Sequence, residues 1–222
     1  MLSRGWKEAY FGMMQCPMRV NAWAHRMLPR RWNSTKVHLG PGQRNYLPGW
    51  INVDANLLTA KIDIWADLRG KLPFRENTVE AFYSHHVIEH LPDSVLPFHF
   101  AELYRCLQPG GAIRIAGPNG DMAIRKFLEN ETEWFDDFPD KRRSIGGRFA
   151  NFLLCRGEHL TILTYSYLEE LAVGSGFDRI CRCRPVTETN FPKLFDALLL
   201  SKEWEATPDC PHTLVVEAVK PL

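Results

Sequence analysis

The sequence predicts an α/β fold built on a mostly parallel sheet with helices on both faces. Three observations carry this. Short apolar runs recur at Val37–Leu39, Ile51–Asp54, Ile62–Asp67, Val79–Ser84 and Ala112–Ala116, with the length and near-continuous apolarity of buried parallel strands. Between the last two, Leu96, Phe100, Leu103, Tyr104 and Leu107 share one helical face, completing a strand–helix–strand unit whose crossover should be right-handed. The first run enters a Gly-x-Gly turn, Gly40-Pro41-Gly42, and the second ends in Asp54.

Taken in order, residues 1–35 form an N-terminal extension. Trp6, Tyr10, Met13 and Met14 follow helical spacing, as do Val20, Trp23 and Met27, so one or two short helices are expected, packed on the body or over a site. Seven basic residues stand here or at Lys36 against the single acid Glu8, which also allows peripheral contact with an anionic membrane. Residues 36–222 read as one domain. Only Gln43–Trp50 separates the glycine turn from the second strand, and Pro48-Gly49 opposes a helix there. A parallel crossover usually takes a dozen residues or more, so the first helix is reduced to a loop or one turn. Asp93 or Ser94 can cap the next helix and Gly110-Gly111 end it.

Beyond residue 118 the pattern loosens. Asp121–Leu128 reads as a helix, and Glu131–Arg148 mixes charges, aromatics and glycines like an exposed lid, part of an insertion over residues 129–160. Ser166-x-x-Glu169 is a capping box opening a helix that Gly174 and Gly176 stop. Ile180 and His212–Val219 look like closing strands, and Pro192–Glu203 is a helix or a loop.

Bulk properties bound the function. A chain of 222 residues, 45% hydrophobic, can bury one good core. A net charge of +1 gives no overall field for nucleic acid. Six scattered cysteines without a C-x-x-C pair fit neither a zinc set nor a disulfide framework, so reduced thiols and no metal are expected. No run approaches the roughly 20 apolar residues that span a bilayer, and a secretory leader pattern is missing at the start. The expected location is cytoplasmic.

Glycines let a backbone pass close under a ligand, and a carboxylate at the tip of the next strand can accept both hydroxyls of a ribose. The dinucleotide fingerprint of a nicotinamide dehydrogenase wants a third glycine, a following helix and an acid about 20 residues on. Here Asp54 follows Gly42 by only 12 positions. P-loop, H-E-x-x-H and Gly-x-Ser-x-Gly patterns do not occur.

Ordered blocks carry a more specific likeness: Leu39-Gly-Pro-Gly42, Pro48-Gly-Trp-Ile-Asn-Val-Asp54, Ala66-Asp-Leu68, Leu72-Pro-Phe74, Ser84-His-His-Val-Ile-Glu-His-Leu91, Leu107-Gln-Pro-Gly-Gly111 and Ile113-Arg-Ile-Ala-Gly-Pro118. Together they resemble the class I S-adenosylmethionine-dependent methyltransferases, most closely a small bacterial group associated with glycan and cell-envelope biosynthesis. The resemblance implies a Rossmann-like sheet with an antiparallel last strand and S-adenosylmethionine as cofactor. It also implies a cofactor-binding set of Gly40, Gly42, Asp54, Asp67, Leu68 and Ser84, with Asp67 and Leu68 at the adenine. The family usually carries Cys or Ser where this chain has Pro41, which removes one amide donor.

Ser84, His85 and His86 lie at the carboxyl edge, where open α/β sheets bind ligands. Methyl transfer from a sulfonium needs an aligned acceptor, and an alcohol acceptor must also lose a proton. A histidine is the natural base; His86 is the first candidate, His85 the second and His159 a third. Glu89 and His90 follow His86 by three and four positions, so a helical turn brings them to its face. Trp134, Phe135 and Phe138, with Arg142, Arg143 and Arg148, are candidates for the acceptor side. His25, His38, His99 and His212 read as structural. The function expected is O-methylation of a saccharide or related small-molecule intermediate, without nucleic acid. A non-catalytic cofactor-binding scaffold partnering an active homologue is the alternative, and a dehydrogenase a distant third.

Overall fold

The computed structural model describes residues 4–28, 32–58, 60–203, 205–207 and 209–222, with side chains from residue 9 onward. Arg30, Arg31 and the side chains of Arg4, Trp6 and Lys7 lie outside the described residues. Among the described residues seven strands form one sheet: β1 (Lys36–Leu39), β2 (Ile51–Asp54), β3 (Ile64–Trp65), β4 (Val79–His85), β5 (Leu107–Pro118), β6 (Asp178–Cys183) and β7 (Thr213–Val219). Their order is β3-β2-β1-β4-β5-β7-β6. The first five run parallel, and β7 is antiparallel to both of its neighbours. This is the Rossmann-like arrangement, and the chain reverses its direction of build-up between β1 and β4, the point where such sheets bind ligands.

The helices are α1 (Arg4–Met27), α2 (Leu96–Cys106), α3 (Gly120–Leu128), α4 (Ile145–Leu154), α5 (Tyr165–Ser175) and the short α6 (Ala197–Leu200). The main core lies between the sheet and α2 and α5, where Val37, Leu39, Val53, Ile88, Phe100, Leu103, Ile113 and Leu168 are buried. No helix stands between β1 and β2, as expected; residues 42–44 form only a turn.

Several boundaries differ from expectation for identifiable reasons. The N-terminal segment is one helix of 24 residues running through Pro17. Tertiary hydrogen bonds hold it on both sides of the proline: Tyr10 donates to the Ala55 carbonyl at 2.6 Å, Asn21 to the Trp65 carbonyl at 2.7 Å and Arg26 to the Leu72 carbonyl at 2.9 Å. The third strand shrinks to two residues, because Asp63 turns its carboxylate onto the Asn52 amide and the Tyr46 hydroxyl. Helix α2 has no side-chain cap and passes directly into β5 at Leu107; Gly110 (φ +80°) lies inside that strand. The cap of α5 is Thr164, whose side chain accepts from the Tyr167 amide, not Ser166. Gly176 in the left-handed region closes α5, and Gly174 stays within the helix.

The 129–160 segment is less open than its composition implies. Trp134 and Phe135 are buried with Met122, Ala123 and Leu153 against α3 and α4. Arg148 donates to the Phe135 carbonyl and pairs with Asp137, and Arg142 pairs with Asp140. These groups therefore stabilise the segment itself, and only Phe138 among the three aromatics is exposed. Three of the six cysteines (Cys106, Cys155, Cys183) are buried, and all six are free thiols. Among the described residues no helix is long and apolar enough to cross a membrane.

An unforeseen feature sits on the other face of the sheet. Arg114 of β5 is completely buried between Glu203 and Glu217, at 2.6 and 2.5 Å. Burial alone would lower its pKa, but the hydrogen bonds and charge of Glu203 and Glu217 outweigh it and hold the guanidinium charged. The carboxylates are further satisfied by Thr189 Oγ1, the Asn190 amide and the Val186 amide. The network ties the long excursion between β6 and β7 back onto the sheet.

Candidate active site

Parallel register brings the candidate residues to one edge. Leu39 pairs with Val53 on one side and Ser84 on the other, while Asp54 pairs with Trp65. Gly40, Asp54, Ser84 and, two residues past β3, Asp67 therefore meet at the carboxyl ends of neighbouring strands. Gly40 has φ +67°, and a Cβ there would meet Val87 Cγ2 at 2.4 Å. Only glycine fits, because the turn must pass under the His-rich segment. Gly42 (φ +55°) has open space around it, and its amide donates to Asp54 Oδ2 at 3.0 Å. Asp54 Oδ1 accepts from the Asn56 amide at 2.9 Å. The carboxylate is thus fixed by two backbone amides at the strand tip, half-buried, with lone pairs left for further donors. Ser84 Oγ is buried and has no partner among the described residues, an orphan polar atom at the strand end.

Asp67 is differently committed. Its carboxylate caps the Arg69 amide and pairs with the Arg69 guanidinium, with Nη2 to Oδ2 at 2.7 Å. That guanidinium lies 4.0 Å over the Phe11 ring of α1. Arg69 must move aside before the carboxylate can meet a ligand. Leu68 is buried, and its carbonyl accepts from His99 Nδ1.

The His-rich turn folds as a 3₁₀ turn, Ile88–His90. His86 has φ +53°, a conformation that costs a non-glycine residue about 1–3 kcal/mol and clusters at functional sites. Its amide bonds the Ala116 carbonyl at 2.8 Å, and its Nδ1 lies 3.2 Å from Glu89 Oε1. Glu89 is buried. Burial raises its pKa, but the hydrogen bond with His86 and the charges of His86 and His90 outweigh that and keep it below the usual value. An ionised carboxylate only accepts, so His86 Nδ1 carries the proton and Nε2 is left as the basic nitrogen. The His86 side chain is 43% exposed.

His85 is set back from this position. Burial lowers its pKa to about 3, far below the range in which a general base works well at neutral pH. His90 turns away from His86, with Nδ1 2.9 Å from the Glu158 carbonyl. His159 Nδ1 lies 3.0 Å from the Leu153 carbonyl, and burial lowers its pKa.

A cavity of about 220 Å³ opens beside the turn. His86, His159, Phe138, Phe152, Glu205 and His212 are among its lining residues. The sequence reading missed Glu205 and His212. His212 stacks on Trp134 with centroids 4.3 Å apart, and its ring nitrogens bond the Trp134 carbonyl and Glu205 Oε1. Burial lowers its pKa, but those two acceptors outweigh this and raise it above the ordinary value. Arg142, Arg143 and Arg148 do not line the cavity.

Residues 43–115 match the family model described as a methyltransferase domain. Over that segment, about a third of the chain, it is similar to this family. Solved structures with the same fold include phosphoethanolamine N-methyltransferase 2 of Haemonchus contortus in complex with S-adenosyl-L-methionine, at 16% identity and TM-score 0.51. The match covers 89% of this chain and 51% of that one, so this chain spans about half the length of that relative. A SAM-dependent methyltransferase from Archaeoglobus fulgidus aligns at 16% identity and TM-score 0.53, covering 95% of this chain and all (100%) of the other. A Haloferax volcanii protein, solved with the Trm112 methyltransferase activator, aligns at 15% identity and TM-score 0.51, covering 97% and 95% of the two chains. At such identities these likenesses speak to the fold. None of the curated proteins matches the chain. The orphan Ser84 Oγ, the amide-fixed Asp54 and the glycine cradle at Gly40 are a donor and acceptor set that fits S-adenosyl-L-methionine, the ligand of the Haemonchus contortus structure.

Proposed function

We propose that the chain is an S-adenosylmethionine-dependent O-methyltransferase that uses His86 as general base on a saccharide or related small-molecule biosynthetic intermediate. When bound, the cofactor supplies an electrophilic methyl group on a positively charged sulfur. Asp54 accepts the ribose hydroxyls, Ser84 and the Gly40–Gly42 backbone line the amino-acid end, and Asp67 with Leu68 borders the adenine once Arg69 is displaced. One observation carries the catalytic assignment: His86 lines the cavity with its Nδ1 held by a carboxylate, Glu89, that is only 1% exposed.

The chain's own work is to align the acceptor and take its proton. His86 Nε2 accepts the hydroxyl proton as the oxygen attacks. Glu89 fixes the tautomer and steadies the imidazolium that forms, the role an orienting carboxylate plays behind any catalytic imidazole. His159 borders the same cavity and is the second proton acceptor proposed. Phe138 and Phe152 give flat apolar surface for a sugar or ring, while Glu205 offers an acceptor for its hydroxyls.

The test is transfer of labelled methyl from the cofactor to a panel of hydroxylated acceptors, with the label recovered in an alkali-stable ether. His86→Gln is expected to lower kcat about 100-fold or more with cofactor affinity little changed. Full turnover by that variant, or label recovered only on nitrogen or carbon, contradicts the proposal.

A further inference from the structure

We propose that Glu89, His90 and His159 form a mononuclear site for a divalent transition-metal ion at the wall of the cavity. The ligating atoms of the three side chains all lie within 4.8 Å of one another. Two imidazoles and one carboxylate with open positions are a ligand set for zinc, iron(II) or cobalt(II) rather than for calcium or magnesium.

The tautomers are already set. His90 Nδ1 lies 2.9 Å from the Glu158 carbonyl and His159 Nδ1 3.0 Å from the Leu153 carbonyl. A carbonyl only accepts, so both Nδ1 atoms carry the proton and both Nε2 atoms present a lone pair. Metal-binding histidines are held in this way, with the non-ligating N–H tied to a backbone carbonyl or carboxylate. The two rings meet edge to face with centroids 5.0 Å apart.

The carboxylate has spare capacity. Glu89 Oε1 takes His86 Nδ1 at 3.2 Å and stands 3.9 Å from His90 Nε2. Its Oε2 is buried and has no partner among the described residues. An ionised oxygen left so in the interior is costly unless a cation or donor meets it.

The backbone is also braced. Leu160 and Thr161 amides both bond the Glu89 carbonyl, at 2.7 and 3.2 Å, and Thr161 Oγ1 bonds the Leu91 carbonyl at 3.0 Å. The segment carrying His159 is thereby sewn to the turn carrying Glu89 and His90. Ligand atoms around a tetrahedral zinc ion lie about 3.4 Å apart. His90, exposed on a short turn, supplies the closing movement. His159 borders the cavity, so a fourth position is available to water or to a ligand oxygen. The site shares Glu89 and His159 with the proposed active site, and metal binding is measured apart from methyl transfer.

The test uses the full chain, free of any affinity tag, stripped with chelator and titrated with cobalt(II) while visible absorption is followed; zinc content is measured after dialysis. One ion per chain is expected, with the d–d bands of a four- or five-coordinate site. His90→Ala and His159→Ala should each weaken binding at least about tenfold, and His25→Ala should leave it unchanged. Circular dichroism of the metal-free variants checks that they fold, and His159→Gln provides a milder second variant. Substoichiometric metal in the wild-type chain, or stoichiometric binding that survives the His90→Ala/His159→Ala double substitution, overturns the site. Cofactor titration of the stripped protein is read separately, so failure here is distinct from failure of the methyl-donor site.

Discussion

Acidification from pH 6.5 to about 4 is expected to remove about 3 kcal/mol of stability for each of His38 and His99. Both side chains are buried, and burial lowers both pKa values from 6.5 to about 4. The sign follows from proton counts. Above 6.5 neither folded nor unfolded chain holds these protons, and the contribution is complete. Between 6.5 and 4 the unfolded chain binds them while the folded chain does not, so stability falls as pH falls. His85, lowered to about 3, extends the loss to lower pH. Hydrogen bonds do not offset the burial: His38 has Asn52 Oδ1 at 3.0 Å, and His99 has only the Leu68 carbonyl, its Nε2 being without a partner. Urea denaturation at a series of pH values checks this. His99→Gln should flatten the slope by up to about 1.4 kcal/mol per pH unit; an unchanged slope contradicts the account.

Arg114→Leu is expected to cost about 3–5 kcal/mol, because it leaves Glu203 and Glu217 buried without their cation. Both carboxylates are fully enclosed, so water cannot replace the guanidinium without opening the 184–203 excursion. The loss is a cost of breaking the network, not the net worth of the pairs. Replacing Arg114, Glu203 and Glu217 together by apolar residues of similar volume should recover most of it, as for other buried ion networks. Equal destabilisation in the single and triple variants would mean that packing, not charge, dominates.

The first half of the molecule was legible because its signals are local. Gly40, Gly42 and Asp54 lie within one strand–turn–strand unit, and the His86–Glu89 bond falls within a single turn. Helix α2 followed from its apolar spacing, and the missing first helix from Pro48-Gly49. What failed depends on distant pairings. Arg114 looked like one polar residue in an apolar strand, and nothing near it in sequence announces Glu203 or Glu217. His212 read as structural because Trp134 and Glu205, which give it a stacked and doubly bonded ring beside the cavity, approach only in the fold. The same holds for His90 and His159. Asp67 keeps its proposed place at the adenine, but its pairing with Arg69, steadied by Phe11, was not foreseen. Ser166 lost the cap of α5 to Thr164 because Thr164 is the residue with extended backbone, ψ 159°.

The central claim is that a methyl donor lies across the strand tips with its ribose on Asp54. Calorimetric titration with S-adenosylhomocysteine tests it most directly. The account predicts one site per chain, no comparable binding of NADH, and an affinity about 10–100-fold weaker in Asp54→Asn, the loss of one or two hydrogen bonds to a charged acceptor. No binding to the wild-type chain, or equal affinity in the Asp54→Asn protein, would contradict it.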